Sequence, residues 1–441
     1  MKNRWTGTRP ILSLPVSSRS RQWWIVVGLV LFFALIPLAL MLGVEVIHRG
    51  SLSGAKDWAV HHPKAVMATY ILYLGIYLFA LGLTGFPSFS LTLTALFLFM
   101  AAFVSRYKMV LIGEPLFPWD FSLQKQAVDL LPVIANAKAI LKTVVIVFLS
   151  AVPVLAGRRL PRIRIRYWLR GIMVAAGVYA VLSLTLFPNL SGNLVERWKL
   201  PNINYEHRTH YHENGLGLGF SMNMKNVIVD KPEGYSKERM ASLVESLKSQ
   251  EKNKAVLADV TLRPNVILVM NEAFWDPTLL PGVDFDEDPI PFLRKLQQEH
   301  TSGYMLSPQF GGGTSNVEFE VLTGLPVAFL PNGSHAYQQY IHRAIPSLAT
   351  VFGDYGYKKM AIHPYHGWFW NRTATYEWLG FDVYKSVEYF HDPEYRGYYI
   401  ADDEVSRELL RQVEKTEEPV FIYAVTMQNH GPYEDERYGE D

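Results

Sequence analysis

No cysteine occurs among the 441 residues. Disulfides and thiolate metal sites are thereby excluded, and any domain outside the cell must be held by its core alone. Neither sign of charge is in excess: the net charge is +1 at pH 7, which gives no ground for a nucleic-acid partner. Long apolar runs are missing beyond residue 190, so that part reads as an ordinary globular domain. The first 190 residues hold the apolar runs, and the whole length exceeds one typical domain.

Five apolar segments in the first part are long enough to span a bilayer, which takes about 20 residues each. They lie near 23–43, 64–85, 87–104, 139–157 and 167–187. The first lacks a small-residue cleavage pattern and more spans follow, so it reads as a retained helix, not a signal peptide. Orientation follows from the basic residues. Lys2, Arg4, Arg9, Arg19 and Arg21 precede the first span; Arg158, Arg159, Arg162, Arg164 and Arg166 separate the fourth from the fifth. Both segments are expected in the cytoplasm. An odd number of spans then puts everything after Pro188 outside, and parity and charge agree independently. The outer loop 105–137 carries Lys108, Gly113, Glu114, Pro115, Pro118, Trp119 and Asp120. Interfacial anchoring is one reading of it; contact with lipid headgroups or with the outer domain is the other.

Residues 189–260 are polar and irregular, and read as an extracellular linker with one helix near 235–250. In that helix Met240, Leu243, Val244 and Leu247 recur at helical spacing. His207, His210 and His212 lie close together. They are expected in a solvated loop, not at a metal, because no strand or helix fixes their geometry.

From 264 onward strands alternate with helices, the pattern of an α/β domain with a mainly parallel sheet. Asn265–Met270 is a continuous apolar run, as expected of a strand buried on both faces, and Asn271–Glu272 follows its C-terminal end. Helices are expected near 290–299, 344–355, 371–379 and 402–415. Strands are expected near 303–306, over Lys358–Ile362 and over Val420–Val425.

Between them lies Gln309-Phe310-Gly311-Gly312-Gly313-Thr314-Ser315-Asn316-Val317-Glu318-Phe319-Glu320. Glycines let backbone approach a ligand closely and adopt positive φ. A helix is expected from Thr314 or Ser315 to Leu322, stopped at Gly324, with Ser315 and Glu318 at capping-box spacing. A hydroxyl at such an N-terminus faces free N–H groups and the positive end of the dipole, which suits a phosphate or oxyanion. Glu272, His363 and His430 each stand just past the C-terminal end of an expected parallel strand, the edge where open α/β sheets bind ligands. A carboxylate, a hydroxyl and two imidazoles are therefore expected to converge. Each taken singly also has an ordinary structural explanation, as a capped turn or a hydrogen-bonded loop residue.

The run Asn265 to Phe274, the segment Gly-Gly-Gly-Thr-Ser-Asn-Val-Glu-Phe, the stretch His363 to Arg372 ending in Phe-Trp-Asn-Arg, and Gln428-Asn429-His430-Gly431-Pro432 resemble the lipoteichoic acid synthase family of the sulfatase/alkaline phosphatase-like superfamily. The resemblance covers essentially the whole chain. It implies a five-helix transmembrane domain (1–188), the linker (189–260) and an extracellular sulfatase-like α/β catalytic domain (261–441). It further implies that Glu272 and Thr314 ligate a metal, manganese with magnesium as substitute, and that Thr314 is the nucleophile. His363, Trp370, Arg372 and His430 match positions that line the substrate site, Arg372 as a bidentate partner for phosphate. The implied reaction takes glycerol phosphate from phosphatidylglycerol in the cell membrane and transfers it to a growing polymer or glycolipid acceptor.

Two departures stand out. Better-known members have Gly-Lys-Thr-Ser-Asp where this sequence has Gly312-Gly313-Thr314-Ser315-Asn316. The family also places an Asp-His ligand pair well downstream of the segment matching His430, whereas the sequence stops at Asp441. The expectation is therefore a C-terminally truncated product, inserted in the membrane but catalytically weak or dead. A true sulfatase is disfavoured, since Thr314 does not open a C/S-x-P-x-R pattern. A phosphoethanolamine transferase shares fold and nucleophile, but usually carries disulfides. The alternative from another class is a non-catalytic paralogue that binds lipid or partners.

Overall fold

The computed structural model describes residues 19–122, 137–157, 165–203, 206–227, 231–251, 262–309, 312–331 and 333–431. The chain divides into two compact units, residues 1–228 and 229–441.

The first unit is helical. Its long elements are α1 (Arg19–Arg49), α2 (Leu52–His61), α3 (Pro63–Thr84), α4 (Pro87–Ile112), α5 (Ala137–Gly157), α6 (Tyr167–Leu184) and α7 (His207–Asn223). Among the described residues four helices, α3 to α6, are long and apolar enough to cross a membrane; the bent pair Ala34–Arg49 and Leu52–His61 makes a fifth if counted as one span. These helices make the chain a membrane protein. Apolar burial between helices gains little in lipid, so close packing matters more. At the α3–α6 contact a Cβ on Gly177 would lie 2.6 Å from the Gly75 carbonyl oxygen, and one on Gly82 would lie 2.7 Å from that of Arg170. Glycine at these points lets the two backbones touch.

Two expectations change here. The outer loop is not an exposed interfacial anchor over its described part: Leu116, Phe117 and Trp119 are buried in the core of the unit, and Lys108 Nζ pairs with Asp120 Oδ2 at 2.7 Å. The remainder, 123–136, falls outside the described residues. The histidine segment is not a solvated loop either. It forms α7, whose His210 and Tyr211 are buried, with Tyr211 Oη donating to Leu116 O at 2.8 Å. Tertiary packing fixes a segment that is polar by composition.

The second unit is α/β. Its strands are β1 (Val266–Met270), β2 (Lys358–Ile362), β3 (Val383–Lys385), β4 (Tyr395–Arg396), β5 (Tyr399–Ile400) and β6 (Val420–Val425). The main sheet has the order β1-β6-β2-β3 and is parallel throughout, while β4 and β5 form a small antiparallel pair. Its longer helices are α8 (Lys237–Glu251), α9 (Pro291–Glu299), α10 (Thr314–Thr323), α11 (Leu348–Asp354), α12 (Arg372–Trp378) and α13 (Asp402–Lys415). Central β6 is buried at every residue. Val420, Ile422 and Ala424 pack with Val405 and Leu409 of α13 on one face, and Phe421 stacks on Phe352 at 4.3 Å on the other. This is the continuous apolar strand that two covered faces demand.

The apolar run of β1 has a different setting from the one expected. Among the described residues it lies at the edge of the sheet, and Ile267 and Val269 are 43% and 42% exposed. The strand expected near 303–306 does not form: Tyr304, Met305 and Leu306 are exposed and pair with no strand among the described residues. Composition alone cannot tell a central strand from an edge strand. Replacing Ile422 by Ala should therefore destabilise this unit by about 2–4 kcal/mol, whereas Ile267→Ala should cost less than about 1 kcal/mol. Denaturant unfolding of the two variants, followed by tryptophan fluorescence, measures the contrast; equal losses would contradict the strand order.

Candidate active site

Parallel pairing puts the C-terminal ends of β1, β6 and β2 side by side. Met270 is level with Val425, and Ile362 with Ala424. Glu272, Thr426 and His363 leave those ends in a row, on the edge where sheets of this class bind ligands. Thr426 Oγ1 accepts from the Glu272 backbone N–H at 3.1 Å and so fixes the turn after β1. Ala273, next in the chain, has φ +57, a strained value for a residue with a Cβ.

Thr314 opens α10. Its cap is Gly313, at φ +72, and Gly312 has φ +143. Phe310 and Gly311 of the glycine segment lie outside the described residues. Thr314 Oγ1 donates to Glu272 Oε1 at 2.8 Å, so the hydroxyl and carboxylate meet although they are far apart in sequence. Glu272 Oε2 is buried and has no protein partner among the described residues. Asn316 is fully committed: its Nδ2 donates to Ser334 O at 2.8 Å and its Oδ1 accepts from Ala336 N at 2.9 Å. An aspartate cannot make the first of these bonds, which gives a local reason for Asn at this position.

The expected capping box does not form. Glu318 is fully buried and turns to Arg372, with Nη2 donating to Oε1 at 2.6 Å and Nε at 3.2 Å. Tyr376 Oη donates to Oε2 at 2.5 Å and Tyr337 Oη at 3.4 Å. Burial works against the Arg372 charge, but the Glu318 carboxylate outweighs it and raises the pKa above its ordinary value. The guanidinium fork expected to hold phosphate is thus occupied by Glu318. Nη1 alone is left, buried and without a partner among the described residues. Trp370 and Asn371, just before Arg372, have φ +56 and +60, and the Trp370 ring lies 4.5 Å from that of His335.

His363 is buried, and its Nδ1 donates to Val425 O at 3.0 Å. A carbonyl only accepts, so Nδ1 carries the hydrogen and Nε2 keeps its lone pair. Nε2 has no partner among the described residues. Burial first, then the Arg372 charge, holds the pKa well below 6.5. His430 lies near enough for its charge to act on His363. Its Nδ1 is 3.5 Å from Tyr399 Oη, and the Tyr399 and Tyr365 rings lead back from it towards His363.

A divalent cation is the group that the resemblance implies. Glu272 Oε2 and Thr314 Oγ1 are hard oxygen donors of the type that manganese or magnesium takes, and the buried, partnerless carboxylate oxygen fits such an ion. Among the described residues no group of three His, Cys, Asp or Glu converges, so these two supply only part of a shell. Sequence reasoning gave Glu318 only a capping role and Asn316 only a departure from the family motif, and it missed Thr426 and Tyr399. The spacing from Ser315 to Glu318 is the one signal that singled out Glu318, and it pointed to a helix cap, not to Arg372.

The depressed His363 pKa predicts acid lability. The folded state favours the neutral ring, so its stabilisation is complete above 6.5 and is lost as pH falls below that value towards the folded pKa. The loss should reach at most about 1.4 kcal/mol per pH unit. Melting temperatures of wild type and His363→Gln between pH 8 and 5 check this: the variant's curve should be flatter, and parallel curves would contradict it.

Residues 264–441 match the sulfatase family model. Over 420 residues the chain is 36% identical to a protein of Rhizobium meliloti named for the modification of cyclic beta-1,2-glucan, a match covering 93% of this chain and 64% of that protein. A lipoteichoic acid synthase of Staphylococcus saprophyticus is 27% identical over 198 residues, 42% of this chain and 29% of the synthase. Among solved structures, a Streptococcus pyogenes phosphoglycerol transferase in complex with sn-glycerol-1-phosphate aligns with a TM-score of 0.41 and 27% identity, over 47% of this chain and 56% of that one. The chain spans less than two thirds of the length of these curated relatives. Residues 264–441 are thus a sulfatase-like α/β domain, in a chain whose first unit carries apolar helices long enough to cross a membrane.

Proposed function

We propose that this protein is a membrane-bound phosphotransferase that moves a phosphoglycerol group from phosphatidylglycerol to an acceptor hydroxyl through an ester on Thr314. The observation that carries the reading is the contact between Thr314 Oγ1 and Glu272 Oε1 at the start of α10. It sets a hydroxyl against a carboxylate at the edge of the sheet, at a helix N-terminus whose dipole favours a phosphate. Glu272 orients the hydroxyl and accepts its hydrogen bond. Thr314 Oγ passes its proton to Glu272 and attacks phosphorus, the bond to the diacylglycerol oxygen breaks, and that oxygen takes up a proton and leaves as an alcohol; the acceptor hydroxyl, losing its proton in turn, then displaces Thr314 Oγ from phosphorus. Arg372 Nη1 contributes one donor to the phosphate, and neutral His363 offers Nε2 as an acceptor to a hydroxyl of the headgroup. His430 stands on the same edge as a candidate proton carrier. Trp370 walls the substrate side. Glu272 and Thr314 would hold a manganese or magnesium ion, which supplies charge neutralisation at phosphate and a lower hydroxyl pKa.

The distribution of arginine and lysine supports a cytoplasmic N-terminus and an extracellular second unit. For the acceptor, a glucan has more support than a glycerol phosphate polymer. The match to the glucan-modification protein runs at 36% identity over 93% of the chain, and that to the synthase at 27% over 42%.

The test uses the membrane-embedded protein, manganese and phosphatidylglycerol labelled in its headgroup glycerol. Wild type should retain label covalently. Thr314→Ala should retain none and release diacylglycerol at least about 1,000-fold more slowly. Label held by Thr314→Ala would rule out this nucleophile.

A further inference from the structure

We infer that Glu318 is a positioning residue: it clamps the Arg372 guanidinium so that Nη1 alone is presented to one oxygen of a bound phosphate. The inference rests on the phosphotransfer reading above and adds a residue and a contact mode to it. The guanidinium is planar, with its donors in a fixed fork. Glu318 Oε1 takes two of its nitrogens, Nη2 at 2.6 Å and Nε at 3.2 Å. The direction of the third is then set. Glu318 cannot swing away, because its other oxygen accepts from Tyr376 at 2.5 Å and from Tyr337 at 3.4 Å. Arg372 also lies over the Phe369 ring, 5.4 Å from its centroid.

Glu318 stands four residues after Thr314 in α10, so the clamp sits about one helical turn of 5.4 Å from the attacking hydroxyl, on the same rigid element. Nucleophile and phosphate anchor therefore move together.

A network with a purely structural role would be expected to be closed. Here Arg372 Nη1 and His363 Nε2 are both buried and have no partner among the described residues. Leaving a buried donor unmade is costly, and such groups in folded proteins are normally completed by something. One atom is a donor and the other an acceptor. A ligand carrying both an anionic oxygen and a hydroxyl, as a phosphoglycerol group does, completes both.

The experiment compares wild type with Glu318→Gln and Tyr376→Phe in the full chain. It reads melting temperature, affinity for sn-glycerol-1-phosphate by calorimetry, and the rate at which phenylglyoxal modifies Arg372, followed by mass spectrometry. Glu318→Gln should weaken glycerol phosphate binding about 10-fold or more, and Tyr376→Phe about 3-fold. Both should speed Arg372 modification several-fold. If Glu318→Gln does not fold, Tyr376→Phe, which keeps the ion pair, carries both readouts. Folded variants with unchanged affinity and unchanged Arg372 reactivity would overturn the clamp. A wild type that binds no glycerol phosphate would sink the phosphotransfer reading; the modification rates would still decide the clamp, faster in the variants if it holds and equal if it does not.

Discussion

Because β6 pairs in parallel with β1 on one side and β2 on the other, the ends of three strands are locked at one level. That register requires β6 to be apolar on both faces, and its six residues are all buried. It also decides which side chains meet. Glu272, Thr426 and His363 come from distant parts of the sequence, yet each follows a strand whose end is held level with the next. A slip of one residue would turn each strand's side chains to the opposite face and separate them. The geometry of the edge is thus a consequence of core packing, and the polar residues on it contribute little to their own placement.

Helix α10 is fixed to this edge from two directions. Thr314 bonds Glu272 at its start, and Glu318 bonds Arg372 from α12 one turn later. The second contact is a buried ion pair. Such pairs seldom add net stability, because desolvation offsets the attraction, but a missing partner leaves a charge uncompensated. What the pair supplies is a fixed direction for the guanidinium. The left-handed Trp370 and Asn371 before Arg372 are consistent with local strain held in place by the surrounding contacts.

The helical unit uses the same logic in another medium. Glu45 is fully buried near the end of α1 and accepts from Leu216 N and from Arg49 Nε, each at 2.8 Å. A charge that is costly inside a membrane protein thereby ties α1 to α7. Glycines at the α3–α6 contact bring backbones together where larger side chains would hold them apart.

The sequence by itself determined the apolar helices, the parallel α/β pattern, the strand over Val420–Val425 and the likeness of the second part to sulfatases, because these depend on periodicity, run length and local motifs. It also marked Glu272 and Thr314, since strand ends and a glycine-led helix start are local signals. It did not determine which strand is central. Val266–Met270 and Val420–Val425 look alike in composition, and only the pairing order leaves Ile267 and Val269 half exposed. Nor did it determine the partners of polar side chains. Glu318 matched a capping box by spacing, and His210 of α7 looked solvated by polarity. Their actual partners, Arg372 in one case and the packed core around Tyr211 in the other, come from segments far away in the chain. Contacts of that kind depend on burial and on three-dimensional neighbours, which tertiary structure alone decides.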